Sequence, residues 1–478
     1  MRIKRHPILT FERGREITFD FEGRKIKAYE GESIAASLHA AGIRVLSESL
    51  RFHRPRGFFC AIGKCSSCLM EVDGVPNVRT CIEPVRPGIK VRRQKGGIGR
   101  INIEVEKKIH QKPELETVKT DIAVVGGGPA GLSAAIYGAK YGARIVVVEE
   151  NPRLGGQLIK QTHKFFGSHS QFASVRGIEI AERLSGEIPG DKVDIITHSS
   201  VVGYFPEEKT LIAYGEGKLI KIVPERLIVA TGAQENFLPF EGNDLPGVYG
   251  AGAIQTLMNV YGIIPGNKVL MVGAGNIGVI VSYQLLQAGV KVAAIVEAMP
   301  KIGAYQVHAS KVARAGVPIY TRHTIKKAIG KEKVEGAVIV ALDEKWNEVS
   351  GTEQELEVDT ICLAIGLTPS TELLSQAGCE MRYIPELGGP VPWHDEDLET
   401  SVSGIYVAGD ASGIDEASTA MLEGRLTGVA AAEDLFGATK TTRKEKEEII
   451  RALDELREGP FGERVRIGKQ KLLTGGAR

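Results

Sequence analysis

The stretch that decides the fold is residues 121–150, D-I-A-V-V-G-G-G-P-A-G-L-S-A-A-I-Y-G-A-K-Y-G-A-R-I-V-V-V-E-E. An apolar run ends in a glycine-rich turn, a helical pattern follows, and a second apolar run stops at Glu149. This order of strand, turn, helix, strand and acid is typical of the βαβ unit that binds dinucleotides. The alternative is a glycine-rich loop in an unrelated α/β domain, and the complete context favours the dinucleotide unit.

Each glycine of the turn has a physical role in such a unit. Gly126 permits the tight turn, Gly128 lets the backbone approach a pyrophosphate, and Gly131 lets helix and strand pack closely. The following helix directs its free N–H groups and positive dipole end towards the phosphates. Glu149 lies 23 residues after Gly126, where a carboxylate can accept hydrogen bonds from ribose hydroxyls.

The overall composition is that of an ordinary globular protein. Its 478 residues predict roughly two to four domains. The 60 Lys and Arg residues nearly balance the 59 Asp and Glu residues, so no overall field favours nucleic acid or an anionic membrane. No apolar signal core opens the chain and no run approaches the ~18 apolar residues of a membrane span, so we expect a cytoplasmic protein.

The N-terminal residues predict a small module. Alternating strands flank Glu22-Gly23 within residues 16–28, which indicates a hairpin. Ser33 then begins a short helix as its N-cap, and Gly42 ends it.

Four of the six cysteines follow that helix. Cys60, Cys65 and Cys68 have the spacing C-x4-C-x2-C, and Cys81 comes thirteen residues later. The first three match the plant-type [2Fe–2S] spacing, in which a fourth thiolate closes the cluster from a later strand. Zinc sites usually show two separated C-x2-C pairs, and disulfides are disfavoured in a reducing cytoplasm. We therefore favour a [2Fe–2S] cluster, with zinc or a degenerate cysteine set as alternatives.

The order of hairpin, helix and cysteine loop resembles the β-grasp ferredoxin fold. The segment S-L-R-F-H-R-P-R-G at residues 49–57 resembles the α subunit of heterotetrameric sarcosine oxidases and relatives in hydrogen cyanide synthase, opine oxidase and archaeal dye-linked L-proline dehydrogenase. Sarcosine oxidase α subunits typically lack the cysteines of this module. Because this chain keeps them, it resembles the cluster-bearing relatives more.

The resemblance extends to the nucleotide-binding part of the chain and implies an FAD site. E-N-P-R-L-G-G-Q-L at residues 150–158 is similar to the segment that passes the FAD adenosine in flavoprotein disulfide reductases, and G-I-Y-V-A-G-D at 404–410 is similar to the one that closes the FAD domain. There, Asp410 is expected to accept from the ribityl chain. The residues that the fingerprint and the resemblance imply for FAD are Gly126, Gly128, Pro129, Ala130, Gly131, Glu149, Glu150, Gly156, Gln157, Leu158, Ala230, Thr231, Gly232, Gly409, Asp410, Thr419 and Ala420.

Residues 268–298 repeat the opening pattern and predict a second nucleotide site. Its expected contacts are Gly273, Gly275, Asn276, Ile277, Gly278 and Glu297. Glu297 lies where a 2′-phosphate would have to lie, and like charges in contact cost several kcal/mol, so NADP is disfavoured. NAD(H) or ADP/ATP fits better, and the resemblance implies that this nucleotide need not take part in redox chemistry.

The predicted fold is α/β, with two nested Rossmann-like domains of the disulfide-reductase type after a β-grasp [2Fe–2S] module. The predicted division is residues 1–115 for the ferredoxin-like module, 116–245 and 375–440 for the FAD-binding domain, 246–374 for the second nucleotide domain, and 441–478 for a C-terminal helix and tail. The charged amphipathic tail helix is interpreted as a solvated face or a subunit contact.

Several cysteines and histidines that could suggest a redox or flavin-contacting role have simpler interpretations. Cys362 and Cys379 are too far apart in sequence for a C-x-x-C redox pair and are interpreted as packing residues. His163 and His169 are interpreted as surface or loop histidines, because no base or metal ligand accompanies them. No residue in this chain is predicted to be catalytic, since no pattern indicates an amine-binding site.

The sequence thus favours a redox relay subunit. The resemblance implies a separate FAD-dependent β subunit that oxidises an amine or amino acid of the proline or sarcosine kind. One alternative is a self-contained NADH:acceptor oxidoreductase with FAD and [2Fe–2S]. Another is a scaffold subunit that binds nucleotides without redox turnover.

Overall fold

The computed structural model describes residues 1–94, 115–165, 171–215, 217–459 and 462–474. The helices are α1 (Ile34–Ala40), α2 (Pro129–Lys140), α3 (Gly177–Gly186), α4 (Ala251–Gln255), α5 (Asn276–Gln287), α6 (Gln306–Arg314), α7 (Glu372–Gln376), α8 (Ala417–Phe436), α9 (Lys440–Arg457) and α10 (Glu463–Thr474). The first strands are β1 (Glu16–Phe21), β2 (Arg24–Tyr29), β3 (Ser47–Glu48), β4 (Pro55–Arg56), β5 (Leu69–Val72), β6 (Val75–Arg79), β7 (Lys90–Arg93), β8 (Leu115–Val125), β9 (Ile145–Val148), β10 (Val193–Ile196), β11 (Ser199–Phe205), β12 (Thr210–Gly215) and β13 (Lys218–Val229). The remaining strands are β14 (Ala233–Glu235), β15 (Val248–Gly250), β16 (Lys268–Val272), β17 (Lys291–Glu297), β18 (Ile319–Thr321), β19 (His323–Ile329), β20 (Gly336–Ala341), β21 (Gln354–Leu356), β22 (Thr360–Leu363), β23 (Leu367–Pro369), β24 (Met381–Ile384), β25 (Gly389–Pro392) and β26 (Ile405–Val407).

The described residues divide into two compact units, each formed from two stretches of chain. One unit combines residues 1–94 with Glu235–Gly366. The other combines residues 115–234 with the chain from Leu367 onward. Among the described helices, none has both the length and the apolar composition that crossing a bilayer requires.

The first unit begins with a five-stranded sheet in the order β2-β1-β7-β5-β6. The predicted hairpin is confirmed, because β1 pairs antiparallel with β2 from Glu16↔Tyr29 to Phe21↔Arg24. The N-cap of α1 is also as predicted: the Ser33 hydroxyl accepts from Ala36 N at 3.2 Å. Gly42 follows the helix with a φ of +83°, which favours glycine there.

The second part of this unit is a parallel sheet in the order β15-β22-β16-β17-β18, with an antiparallel sheet β19-β20-β21 beside it. The N-terminal module and this sheet share one apolar core, in which Ile34 and Leu38 of α1 belong to the same cluster as Tyr249 and Leu257. A buried polar group joins them as well: Arg44 Nη1 donates to the Tyr249 hydroxyl at 2.6 Å. The two parts are therefore packed as one body of protein.

The second unit contains a mixed sheet in the order β10-β9-β8-β13-β12-β11, and β26 pairs with β13. β8, β9, β10 and the end of β13 run parallel. The residues of β9 and the ends of β8 and β13 are almost wholly buried, as expected for strands covered on both faces, whereas Asp194 and Ile195 of the edge strand β10 are exposed. α2 and α8 approach closely, because a Cβ built on Gly424 would lie 2.1 Å from the Ala130 carbonyl oxygen.

The C-terminal helices pack onto the second unit. A capping box between Thr439 and Thr442 starts α9. Ile449 and Leu453 of this helix are buried against Leu422 and neighbouring residues of α8. The interpretation of this helix as a solvated face is therefore only half right: its charged side is exposed, but its apolar side belongs to the core. The structure also has a further helix, α10, which the sequence pattern does not indicate.

Candidate functional site

The first fingerprint folds as a strand, a turn and a helix. β8 ends at Val125 and α2 begins at Pro129, with Gly128 as the extended N-cap. Gly126 has a φ of +107°, and a Cβ on it would lie 2.3 Å from the Ala230 carbonyl oxygen. A Cβ on Gly131 would lie 1.8 Å from the Gly126 carbonyl oxygen. No side chain fits at either position, so both glycines are sterically required.

Glu149 is buried and bonded to the turn. Its Oε2 accepts from Gly127 N at 2.7 Å, and its Oε1 accepts from Asn151 N at 2.8 Å and from Asn151 Nδ2 at 2.6 Å. The carboxylate thus links the end of β9 to the glycine turn. Asn151 is a partner that the sequence reasoning missed, although its place two residues after the acid was visible.

The segment after Glu149 returns to the same turn. Gly155 N donates to the Gly127 carbonyl at 2.8 Å, and a Cβ on Gly156 would lie 2.8 Å from Gly128 Cα. Gln157 is exposed, whereas Leu158 is completely buried in an apolar cluster that includes Leu132. The Leu158 side chain thus packs in the core, and its predicted contact with the cofactor stays a prediction.

Three distant segments converge on this turn. Ala130, Ala230, Ala408 and Ala420 form one small buried cluster. A Cβ on Gly409 would lie 2.9 Å from the Ala130 Cβ, so Gly409 also lies against the start of α2. The fingerprint, the end of β13, the end of β26 and the start of α8 are thus brought together.

The segment that follows β13 is held by hydrogen bonds to Ser370, a partner that the sequence did not predict. The Thr231 hydroxyl donates to the Ser370 carbonyl at 2.6 Å, and Ser370 N donates to the Gly232 carbonyl at 2.9 Å. A Cβ on Gly232 would meet no atom within 4 Å, so open space adjoins the backbone here. The hydroxyl of Thr419, which is also a predicted contact, donates to the Glu416 carbonyl at 2.7 Å as part of the first turn of α8. Glu150 is exposed.

Asp410 has an unusual electrostatic environment. Burial, together with the nearby charges of Asp415 and Glu423, raises the pKa of its carboxyl to about 7. Its Oδ1 accepts from Asp415 N at 3.4 Å. A carboxyl with so raised a pKa can donate or accept a hydrogen bond near neutral pH.

The turn at Gly409 is held by a buried ion network. The Glu423 carboxylate, only 2% exposed, accepts from Gly409 N at 2.9 Å and from the Ser412 hydroxyl at 2.7 Å. It also pairs with Arg457 at 2.7 Å and with Lys469 at 3.3 Å. Sequence reasoning missed these three charged residues, because no local motif connects them.

The second fingerprint repeats the geometry of the first. A Cβ on Gly273 would lie 2.2 Å from the Ala364 carbonyl oxygen, and one on Gly278 would lie 2.0 Å from the Gly273 carbonyl oxygen. Glu297 accepts from Ala274 N at 2.7 Å and from Met299 N at 2.9 Å, which is the pattern that Glu149 shows. The chain therefore has two equivalent turns, one in each compact unit.

The surroundings of the second turn are open and partly apolar. A Cβ on Gly275 would meet nothing within 4 Å. Ile277, Met299 and Ile302 are exposed apolar residues of this region. Asn276 Oδ1 accepts from Tyr305 N at 2.9 Å, which fixes the loop after β17 near the start of α5.

The four cysteines of the N-terminal module form one site. Cys60, Cys68 and Cys81 are buried and Cys65 is partly exposed. Hydrogen bonds with the thiols of Cys65 and then Cys81 lower the pKa of Cys60, and one with Cys81 lowers the pKa of Cys68. Backbone amides also point at sulfur: Ile62 N lies 3.5 Å from Cys60 Sγ, and Cys81 N lies 3.4 Å from Cys68 Sγ.

These features fit an iron–sulfur cluster, whose sulfurs are commonly hydrogen-bonded by backbone amides. Residues Ala61 and Ser66 of the loop have φ near +57° and +58°, so the chain is tightly curled between the cysteines.

The two cysteines outside the cluster loop and His163 have local packing partners. Cys362 is fully buried within β22, and Cys379 Sγ lies 3.3 Å from the Thr400 hydroxyl. Burial raises the pKa of both thiols, as expected for packing residues. His163 stacks on Phe165 with ring centroids 5.6 Å apart. His169 lies outside the described residues.

Two family profiles match the chain. The profile of the pyridine nucleotide-disulphide oxidoreductases covers residues 120–424, and that of the 2Fe-2S iron-sulfur cluster binding domain covers residues 14–96. The first includes both glycine turns, and the second includes all four clustered cysteines. Together they support nucleotide and FAD binding and a 2Fe-2S centre.

Individual relatives agree with these profiles. The chain is 30% identical to an opine oxidase subunit from Agrobacterium tumefaciens (strain Ach5) over 66% of each chain. It is 25% identical to the sarcosine oxidase alpha subunit of Rhizobium meliloti (strain 1021), over 84% of this chain but only 44% of that one. L-proline dehydrogenase from P. horikoshii has a similar structure, with a TM-score of 0.70 and 28% identity over 93% of this chain and 79% of that one.

The chain thus spans about two thirds of the opine oxidase relative but less than half of the sarcosine oxidase relative. The similarity to these proteins, the predicted α/β fold class and the assignment as an oxidoreductase are confirmed. The chain belongs to the pyridine nucleotide-disulphide oxidoreductase family and joins that fold to an N-terminal 2Fe-2S iron-sulfur cluster binding domain.

Proposed function

We propose that this chain is the electron-transferring α subunit of a heteromeric amine or amino-acid dehydrogenase of the proline or sarcosine type. Its partner is an FAD-dependent β subunit that oxidises the substrate. The chain relays the electrons between the partner's flavin, its own [2Fe–2S] cluster and its own FAD. This role is supported by relatives whose names call them subunits and by a structural relative named L-proline dehydrogenase.

One observation carries the proposal: a four-cysteine cluster loop and an FAD-type turn occur in the same chain. FAD accepts electrons in pairs and can release them singly, whereas a [2Fe–2S] cluster carries one at a time. A chain that holds both is suited to exchange electrons between a two-electron donor and a one-electron carrier. Cys60, Cys65, Cys68 and Cys81 would hold the cluster.

The FAD would lie where the four segments of the second unit converge. Gly126 and Gly128 would let the pyrophosphate approach the backbone, and the start of α2 would face it with free N–H groups. Glu149 would bind ribose hydroxyls in addition to its bonds to the turn. Asp410 would exchange a hydrogen bond with the ribityl chain.

The thiol chemistry of the disulfide-reductase fold is not used. Such chemistry needs two cysteines that can form a disulfide near the flavin. Of the two cysteines outside the cluster loop, Cys362 is buried in a strand and Cys379 is bonded to Thr400. The proposed chain therefore passes electrons through its cluster rather than through a dithiol.

The second turn would hold an adenine nucleotide with a free 2′-hydroxyl, NAD(H) or ADP/ATP. Glu297 carries a negative charge at the end of β17, where a 2′-phosphate would be repelled. If NADH binds there and reduces the FAD, the chain is instead a self-contained NADH:acceptor oxidoreductase. A nucleotide with a structural role leaves the relay proposal intact.

One set of measurements tests the proposal. The chain is purified with whatever protein binds to it, and its visible spectrum is recorded under anaerobic conditions. NADH, proline and sarcosine are then added separately, to the chain alone and to the complex. We expect bleaching of flavin and cluster only in the complex, and only with an amine substrate.

Two results would contradict the relay. Rapid bleaching of the isolated chain by NADH would establish the NADH-dependent alternative. A chain that contains neither flavin nor iron after purification and reconstitution would leave only the scaffold role. The variant Gly278→Ala leaves the FAD turn unchanged but places a Cβ against the Gly273 carbonyl oxygen in the second turn. Loss of an NADH response in this variant would assign that response to the second turn.

A further inference from the structure

The turn that follows β26 is bonded to three charged side chains, two of which lie beyond the region that the family profile matches. Glu423 is the second-last residue of the match that ends at 424, whereas Arg457 and Lys469 lie in α9 and α10, well beyond it. All three side chains are largely buried. Their arrangement is specific enough to assign a role.

The Glu423 carboxylate divides its two oxygens between the turn and the cations. Oε2 accepts from Gly409 N and from the Ser412 hydroxyl. Oε1 accepts from Arg457 Nη2 at 2.7 Å and lies 3.3 Å from Lys469 Nζ. Because a buried carboxylate without partners would be very costly, both cations are needed for Glu423 to stay ionised beneath the turn.

Lys469 also contacts the turn directly. Its Nζ donates to the Ser412 carbonyl at 3.1 Å, to the Ser412 hydroxyl at 2.9 Å, and to His394 Nε2 at 3.0 Å. His394 Nδ1 lies 2.8 Å from the Asp395 carbonyl and must donate to it, so Nε2 is the acceptor. Lys469 therefore has oxygen and nitrogen acceptors on all sides while it lies in the interior.

Arg457 holds the other side of the same turn. Its Nε donates to Asp415 Oδ2 at 3.0 Å, and Asp415 N donates to Asp410 Oδ1 at 3.4 Å. One cation thus reaches the predicted flavin ligand through a single intervening residue. The acids Glu423 and Asp415 balance the two cations in charge.

We infer that Glu423, Arg457 and Lys469 are positioning residues for the flavin, and that α9 and α10 are an integral part of the flavin site. They fix the Gly409–Ser412 turn in the conformation that presents Asp410 to the ribityl chain. The C-terminal helices are then required for retention of FAD and for its redox potential, beyond any general stabilisation. This inference depends on the proposed FAD site.

The test compares two variants of α10 that lie close together. Lys469→Met removes the cation from the network, and Lys471→Met removes a surface cation that pairs with Glu386 at the protein exterior. We expect the Kd for FAD, measured by flavin fluorescence on the purified full chain, to rise at least tenfold in K469M and less than twofold in K471M. The flavin midpoint potential of FAD-saturated K469M should also shift, whereas that of K471M should not.

Two further variants separate positioning from packing. Leu472→Ala removes a fully buried side chain of α10 that belongs to a different apolar cluster, so it should lower the melting temperature without changing the Kd. Ser412→Ala removes one hydroxyl from the turn and no charge, and we expect a several-fold rise in Kd in a folded protein. The Kd of S412A therefore still tests the positioning role if K469M does not fold.

The outcomes distinguish failure of the positioning role from failure of the proposed FAD site. If the parent chain binds FAD and K469M and S412A bind it equally well, the positioning role is wrong and the FAD site stands. The role is also wrong if L472A weakens binding as much as K469M does. If the parent chain itself binds no FAD under any condition, the proposed FAD site fails, and this inference fails with it.

Discussion

At the residue scale, the raised pKa of Asp410 predicts a dependence of stability on pH. Its carboxyl has a pKa of about 7 in the folded chain, against an ordinary value of 3.8, so the folded state holds the proton more tightly. The resulting stabilisation is complete below about pH 4 and is lost as the pH rises through 7. Between pH 5 and pH 8, the free energy of unfolding of the FAD-free chain should fall by about 3 kcal/mol through this residue.

The variant Asp410→Asn should remove that fall. We expect its melting temperature to exceed that of the parent chain by more at pH 8 than at pH 5, as followed by circular dichroism. The control is Glu396→Gln, a substitution of another acid in the same unit. An identical pH profile for D410N and the parent chain would show that Asp410 is an ordinary carboxylate.

A second residue-scale prediction concerns the first turn. Gly131→Ala places a Cβ 1.8 Å from the Gly126 carbonyl oxygen, so the start of α2 must move away from β8. Overpacking of this kind costs about 1–3 kcal/mol. We expect FAD content after purification to fall below roughly one tenth of the parent value.

The matched control is Gly186→Ala in α3 of the same unit. A Cβ there would meet nothing within 4 Å, so the change should leave FAD content unchanged and raise stability by up to about 1 kcal/mol. Normal FAD content in G131A would mean that the turn is not the cofactor site.

At the scale of elements, the cysteine loop can be tested by thiol removal. Cys81→Ser and Cys68→Ser each remove a buried thiolate from the four-cysteine site, and we expect loss of the EPR signal of the dithionite-reduced cluster. Cys379→Ser is the control, since a serine there can keep the bond to Thr400. Iron and sulfide that persist at parental levels in C81S would argue against a four-cysteine cluster.

The elements also show which parts of the site a sequence can reveal. The two turns are local, since strand, glycines, helix and acid lie within about thirty residues, and their positions could be predicted from the sequence. The partners that hold them come from far along the chain. Thr231, which follows β13, is hydrogen-bonded to Ser370, and Ser412 in the turn after β26 is hydrogen-bonded to Lys469. No local pattern links such pairs, because only the tertiary fold brings them together.

Burial of the C-terminal helices could not be predicted for a related reason. α9 is so rich in charge that its few apolar residues, such as Ile449 and Leu453, look insufficient to bury it. They suffice because α8 offers a complementary apolar face. In the sequence the charged residue Arg457 looks like part of a solvated face, although it lies against Glu423 in the fold.

At the scale of the whole molecule, the shared core of the first unit predicts a link between nucleotide and cluster. The cysteine module and the second nucleotide domain pack as one body, with Leu38 and Tyr249 in the same apolar cluster and Arg44 bonded to Tyr249. A ligand that binds only the folded unit stabilises all of it, by about 2.7 kcal/mol at a concentration of roughly 100 Kd. A nucleotide bound at Gly275 should therefore protect a cluster that it does not touch.

We expect saturating ADP or NAD⁺ to raise the temperature at which the cluster bleaches by several degrees, measured from its visible absorbance in the purified holoprotein. Gly278→Ala should abolish the shift, because its Cβ would lie 2.0 Å from the Gly273 carbonyl oxygen and so disrupts the second turn. The shift should persist in G186A, which changes only the other unit. If calorimetry shows that the nucleotide binds while the bleaching temperature stays constant, the two parts unfold independently, and the shared core does not couple them.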